Sequence, residues 1–291
     1  MTQVAQDSVR WIQVEATTKC NAWCPGCGRN NHGHGLSEKL TIHDLSADRL
    51  EQILSSFPNL ETVHFCGTYG DAIAANNILE QIAVAKRYCK KIQLNTNASL
   101  RTVKWWREFA QLLGNIEHDV WFCLDGLEDT HQIYRQGTDF NKIIKNAQAF
   151  IQAGGTASWQ FIPWQHNEHQ IKQCMVMSQQ LGFRHFRFVK NVRTEFDARH
   201  YQTGHPVSIV TWSKNPKFSR YEQPDRKVQE SSCMHLTQPS VYLNANGQLS
   251  VCCYINTADM HDQFDDLPDI KQELSQRPRR VCSKFCGESS A

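Results

Sequence analysis

Cys20, Cys24 and Cys27 stand in the stretch TTKCNAWCPGCGRN, separated by three and then two residues. Three thiolates from one loop can hold three corners of a four-iron, four-sulfur (4Fe-4S) cluster, which takes four ligands in all, and leave one iron for an outside ligand. Pro25, Gly26 and Gly28 suit a loop wrapped closely round an inorganic core. The competing reading is a zinc site completed by His32 or His34 of NHGHG, although zinc sites usually present two cysteine pairs. A second group, Cys233, Cys252, Cys253, Cys282 and Cys286, lies toward the other end of the chain. The scattered Cys66, Cys89, Cys123 and Cys174 read as small apolar packing residues. Twelve cysteines without a secretion signal argue for metal or redox chemistry rather than a disulfide framework.

The elements that must position these thiols alternate. Short apolar runs, WIQVEA (11–16), TVHFCG (62–67), KIQLNT (91–96), DVWFCL (119–124), SWQFIP (158–163) and HFRFVK (185–190), read as strands separated by helix-period segments. In DFNKIIKNAQAFIQAGG, Phe140, Ile143, Ile144, Ala147, Phe150 and Ile151 fall on one helical face, with Asp139 to cap the start and Gly154 to end it. This alternation implies parallel strands joined by right-handed crossovers. The expected fold is α/β, a partial (β/α)6 TIM-type barrel over residues 1–190, with a doubly wound open sheet as the other arrangement the periodicity allows. Residues 191–232 lose the rhythm and read as a connector over the barrel mouth. PSVYLNANGQLSVCCYI reads as a hairpin in which Asn246-Gly247 supplies the positive φ values of a tight turn, within a small separate C-terminal unit spanning residues 233–291.

Composition narrows the classes. The chain has 291 residues, 40% of them hydrophobic, and no run of eighteen apolar residues, so no membrane span is expected. The start, MTQVAQDSVR, lacks the apolar core of a signal peptide, leaving a cytoplasmic protein as the expectation. A net charge of +2 gives no case for nucleic acid.

With the strands in place, the chain resembles the radical S-adenosylmethionine (radical SAM) enzymes over roughly residues 10 to 190. Cys20, Cys24 and Cys27 match that family's cysteine signature behind the first strand. FCGTYGDA sits where the family has a Gly-Gly-acid motif, LNTNAS is similar to the third-strand Asn motif, and CLDGLEDTHQIYRQG resembles the fourth-strand Ser-x-Asp-Gly with its following His and Arg. HNEHQI and LGFRHFRF resemble the ends of the fifth and sixth units. The resemblance implies a 4Fe-4S cluster whose open iron chelates S-adenosyl-L-methionine, and one-electron cleavage to a 5′-deoxyadenosyl radical that takes hydrogen from substrate. It also implies an electron donor such as flavodoxin or ferredoxin. By the same resemblance the turn of Tyr69, Gly70 and Asp71 holds the methionine amino group through backbone carbonyls. Asn95 or Asn97 reaches the ribose, and Arg135 or Lys145 meets the carboxylate. The family departs from this chain at Gly26, where an aromatic is common, at Asp71 in place of glutamate, and at Cys123, where serine is common and makes a polar contact.

Cys233 before the hairpin, Cys252 after it and the late pair Cys282 and Cys286 resemble the twitch subdomain, a shortened relative of the SPASM domain, which binds one auxiliary 4Fe-4S cluster. A structural zinc ribbon is the other reading. Gly247 selects Cys252, leaving Cys253 on the other face of the strand. A cluster with four protein ligands would move electrons, so the implied reaction is a net oxidation of dehydrogenase type on a small-molecule or peptide substrate. Two other functions compete: ribosomal-peptide maturation by crosslinking or epimerisation, and a non-enzymatic iron–sulfur or zinc protein. Among thirteen histidines, His32, His34, His64, His131 and His166 lie near loops and are acid–base candidates only by position. SKNPKFSRYEQPDRK reads as a solvated connector, and Trp105-Trp106 as helix-to-barrel packing.

Overall fold

The computed structural model describes residues 6–38, 40–189, 199–207 and 240–250, without the side chains of residues 32 and 33. All six expected strands form: β1 (Trp11–Val14), β2 (Thr62–Phe65), β3 (Lys91–Thr96), β4 (Glu117–Cys123), β5 (Ala157–Phe161) and β6 (Phe186–Phe188). Between and around them run α1 (Ala47–Leu54), α2 (Ile78–Tyr88), α3 (Val103–Leu113), α4 (His131–Tyr134), α5 (Phe140–Gln152) and α6 (Ile171–Gln180). The six strands are parallel and follow chain order, and β6 does not pair with β1, so the barrel stays open. Among the described residues no helix is long and apolar enough to cross a membrane.

Two strand faces divide the chemistry, as the two-residue period requires. Ile12, Val14, Val63, Phe65, Ile92, Leu94, Val120, Phe122, Trp159 and Phe161 are buried toward the helices. Trp106, fully buried, packs against Phe109, Phe122 and Phe150, so the Trp105-Trp106 helix lies against the barrel as expected. α5 starts under the Asp139 carboxylate, which accepts the Lys142 amide at 3.0 Å, and is followed by Gly154 at φ +93°. The opposite face carries Gln13, His64, Gln93, Asn95, Trp121, Cys123, Gln160 and Arg187, in register across five strand pairs. Asn95 on β3 reaches Gln160 on β5, past the intervening β4, which marks this face as concave.

The hairpin differs from expectation in two respects. Its strands β7 (Ser240–Leu243) and β8 (Leu249–Ser250) continue the barrel sheet, with β7 parallel to β1 on the side away from β2. The expected boundary at residue 233 puts this hairpin in a separate unit, whereas the alternation in SVYL supplies Val241 and Leu243 to the barrel core. Second, only Gly247 has positive φ (+84°), while Asn246 does not, so the turn is a bulged one rather than a paired left-handed turn. Cys233, Cys252, Cys253, Cys282 and Cys286 lie outside the described residues.

Candidate functional site

The cysteine loop follows β1 at the C-terminal end of the parallel strands, the face on which such barrels place their chemistry. Its shape comes from partners elsewhere. Asn30 donates to the carbonyls of Ala22 and Cys24 at 3.3 and 3.4 Å, the buried Arg29 donates to the Thr18 carbonyl, and the Trp23 amide donates to the Gln136 carbonyl at 2.8 Å. Cys24 is buried and Cys20 and Cys27 are half-buried. All three pack against a small cluster of Ala22, Tyr134, Ile162 and Trp164. Three donors reach the sulfurs: the Ala22 amide at 3.3 Å and Asn97 Nδ2 at 3.7 Å from Cys20 Sγ, and Arg135 Nη1 at 4.0 Å from Cys24 Sγ.

These three thiols, gathered in one loop, form a donor set that an iron–sulfur cluster can use. Burial, Asp71 and the neighbouring Cys24 and Cys27 push the Cys20 thiol well up, and metal binding deprotonates cysteine. A four-iron core takes one thiolate per iron. His34 is exposed.

The loop after β2 is organised by a residue that sequence reading passed over. Glu15, 1% exposed, accepts the amides of Thr68, Tyr69 and Gly70 on one oxygen at 2.9, 2.6 and 3.2 Å, and the Tyr242 hydroxyl on the other at 2.9 Å. Burial pushes its carboxyl up, and the three amides and Tyr242 pull it back. Because trans peptides point N–H and C=O in opposite directions, the carbonyls of Gly67, Thr68 and Tyr69 face away from Glu15. Gly67 and Gly70 are required by contact: a Cβ at 67 would lie 1.6 Å from the Gly70 oxygen, and one at 70 would lie 1.7 Å from the Thr17 oxygen. Asp71 turns its carboxylate inward, accepting Thr96 Oγ1 at 2.7 Å, the Asn97 amide at 2.6 Å and the Ile73 amide at 3.2 Å. It ties the β2 loop to the end of β3.

The other candidate residues separate. Asn97 stands beside the cysteine loop, donating to Asn21 Oδ1 at 3.0 Å, whereas Asn95 lies in the barrel interior. Arg135 is held by Asp125 at 2.6 Å and reaches Cys24, but Lys145 is exposed on the outer side of α5, away from the thiols. The helical period places residue 145 opposite Phe140, Ile143 and Ala147 on the core face, a phase visible in the sequence. Cys123 is buried in the concave face, not packed among the helices. It accepts Gln160 Nε2 at 3.5 Å, and burial pushes its thiol up to about 11. The ring stack of Trp23 and Tyr201, centroids 5.4 Å apart, joins the described part of the expected connector to the cysteine loop.

Inside the barrel the hydrogen-bond directions are determined. Arg187 can only donate, so the Gln160 atom at 2.6 Å from it is the oxygen. Asn95 therefore donates to that oxygen with its nitrogen and turns its own oxygen, at 2.7 Å, to His64 Nε2, which must carry the proton. His131 is fixed as neutral too: Nδ1 accepts the Asp125 amide at 3.1 Å and Nε2 faces Thr138 Oγ1 at 3.0 Å. Burial, aided by Arg187 and Arg135 respectively, pushes His64 down to about 4 and His131 down to about 3 from 6.5. The unfolded chain then binds more protons than the folded one below about pH 6.5. Stability is full above that pH and falls as pH drops through it, by up to about 1.4 kcal/mol per pH unit for each histidine. Denaturant midpoints between pH 7.5 and 5 are expected to fall, and His131→Gln to flatten that slope. An unchanged slope would remove His131 from the account.

No family model and no curated protein matches the chain. Solved structures do. Streptococcus suis SuiB bound to S-adenosylmethionine superposes at TM-score 0.59 with 13% identity, covering 92% of this chain and 65% of SuiB. SuiB bound to its precursor peptide SuiA gives 0.59 at 13% identity, covering 93% and 66%. Native anSMEcpe with bound S-adenosylmethionine gives 0.52 at 16% identity, covering 67% and 55%. The chain thus spans about two thirds or less of these proteins' length, and what it shares with these radical SAM enzymes is their fold.

Proposed function

We propose that this chain is a radical SAM enzyme whose Cys20, Cys24 and Cys27 hold a 4Fe-4S cluster with one open iron. One observation carries the reading: three thiols converge at the C-terminal end of a parallel partial barrel, with Asn97 and Arg135 reaching two of the sulfurs. Bound there and reduced, such a cluster would supply the one electron that splits S-adenosylmethionine into methionine and a 5′-deoxyadenosyl radical, which would take hydrogen from substrate.

The chain's own residues then have assignable parts. The carbonyls of Thr68 and Tyr69, turned away from Glu15, accept the methionine ammonium. Arg135, held by Asp125 beside Cys24, answers the carboxylate, a part Lys145 cannot reach. Asn97 serves the ribose side, since it stands beside the cysteine loop while Asn95 lies inside the barrel. Tyr134 and Trp164, with ring centroids 4.5 Å apart against the cysteine group, supply aromatic surface that Gly26 lacks.

The reaction class is a net oxidation, with a donor such as flavodoxin or ferredoxin supplying the first electron. Cys233, Cys252, Cys282 and Cys286 would hold an auxiliary 4Fe-4S cluster, which would supply an acceptor for the electron lost by the substrate radical. A peptide substrate is the reading the comparisons favour: SuiB binds the precursor peptide SuiA, and anSMEcpe, at TM-score 0.51, binds the Kp18Cys peptide. A small-molecule substrate is the alternative. Anaerobic reconstitution tests the cluster count, with about eight irons expected per chain. Cys282→Ala is expected to drop the count to about four while 5′-deoxyadenosine still forms without substrate oxidation. A variant that keeps the full iron count, or loses all cleavage, contradicts this division of roles.

A further inference from the structure

We infer that Glu15 and Tyr242 are positioning residues for the cofactor loop, so that the C-terminal hairpin is part of the S-adenosylmethionine site. The inference rests on the function proposed above. Tyr242 on β7 lies 1% exposed and spends its hydroxyl on two partners, Glu15 Oε2 at 2.9 Å and Thr68 Oγ1 at 3.0 Å. Glu15 holds the three amides of residues 68–70 and so fixes which way the 67–69 carbonyls point. The hairpin is seated for this task along β1. β7 pairs with it from Trp11↔Ser240 to Val14↔Leu243, and the Glu15 amide donates to the Leu243 carbonyl at 2.8 Å. The path from the hairpin to the loop after β2 thus runs through one hydroxyl and one carboxylate.

A carboxylate accepting from a hydroxyl and three amides at once is held by charge-assisted bonds, and each such bond is worth more than a neutral one. Removing the Tyr242 hydroxyl frees one carboxylate oxygen to shift and lets the amides follow. The hairpin has a second anchor that serves as the control. At its turn Arg49 Nε donates to the Gly247 carbonyl at 2.9 Å, a contact that involves neither Glu15 nor Thr68.

Iron-loaded protein is titrated anaerobically with S-adenosylmethionine, and binding is read from the change in the reduced cluster's electron paramagnetic resonance signal. Hydrogen exchange across residues 66–71 is measured without the cofactor. Tyr242→Phe is expected to weaken binding about tenfold and to speed exchange of the Thr68–Gly70 amides by a similar factor. Glu15→Gln should do the same, and the double variant should be no weaker than Glu15→Gln alone, because the tyrosine acts through the carboxylate. Arg49→Ala should leave binding within about twofold. Wild-type binding and exchange in Tyr242→Phe, additive losses in the double variant, or an Arg49→Ala loss as large as that of Tyr242→Phe would each overturn the inference. Wild-type protein that loads iron yet binds no S-adenosylmethionine overturns the proposed function instead, and the exchange arm still decides whether Tyr242 positions the loop.

Discussion

Cys24→Ala is expected to abolish S-adenosylmethionine cleavage, with 5′-deoxyadenosine falling below detection. Cys24 is the most buried of the three thiols, at 8% exposure, and the one approached by Arg135. A cluster seated on two thiolates has lost one of its three protein ligands, and no other cysteine among the described residues belongs to the group at the loop. The same variant is expected to keep an auxiliary cluster, so its iron content falls by about half rather than to zero. Cysteine-to-alanine exchange in a loop already held by Arg29, Asn30 and Gln136 leaves the fold in place. Circular dichroism should match wild type. Full cleavage by this variant would show that the thiol is not a ligand.

Arg135→Ala is expected to carry the largest cost to stability, about 3–5 kcal/mol. Its partner Asp125 is fully buried at the end of β4 and accepts both Arg135 Nε at 2.6 Å and the Ile162 amide at 2.8 Å, tying β4 to the loop after β5. Removing the guanidinium strands a buried carboxylate, the situation that makes one-sided disruption of a buried pair costly. Arg135→Lys keeps the charge but not the planar donor fork, so it should fall between the two. Chemical denaturation reads the difference. A loss below about 1 kcal/mol, the size of an exposed pair, would mean Asp125 finds water or a proton in its place.

Much of the frame was legible in the sequence, for physical reasons. Strands buried on the helix side announce themselves as short β-branched and aromatic runs, and the spacing of Cys20, Cys24 and Cys27 already gathers them in one loop. α5 could be read to its cap because Asp139 and Gly154 act locally. What was not legible acts over distance. Glu15 precedes the loop it organises by more than fifty residues, and Tyr242 lies 227 residues beyond Glu15. Neither belongs to a local motif, and an acid inside WIQVEA shows only that the strand end has a polar neighbour. Asn95 and Asn97 look equivalent in LNTNAS, yet strand alternation does not say which one ends beside Asn21 and which inside the barrel. Lys145 could have been set aside from sequence, since its helical phase opposes the core face. The hairpin was recognised as a hairpin but not as a barrel strand, because parallel pairing with β1 is set by tertiary contact rather than by its turn.

The loop of Cys20, Cys24 and Cys27, read as holding a cluster with an iron open to S-adenosylmethionine, is tested most directly by the cleavage itself. Protein reconstituted anaerobically with iron and sulfide, then reduced, is incubated with S-adenosylmethionine, and the products are measured by mass spectrometry. The account predicts 5′-deoxyadenosine and methionine from wild type and neither from Cys24→Ala. Iron-loaded, reduced wild-type protein that leaves S-adenosylmethionine intact would contradict it.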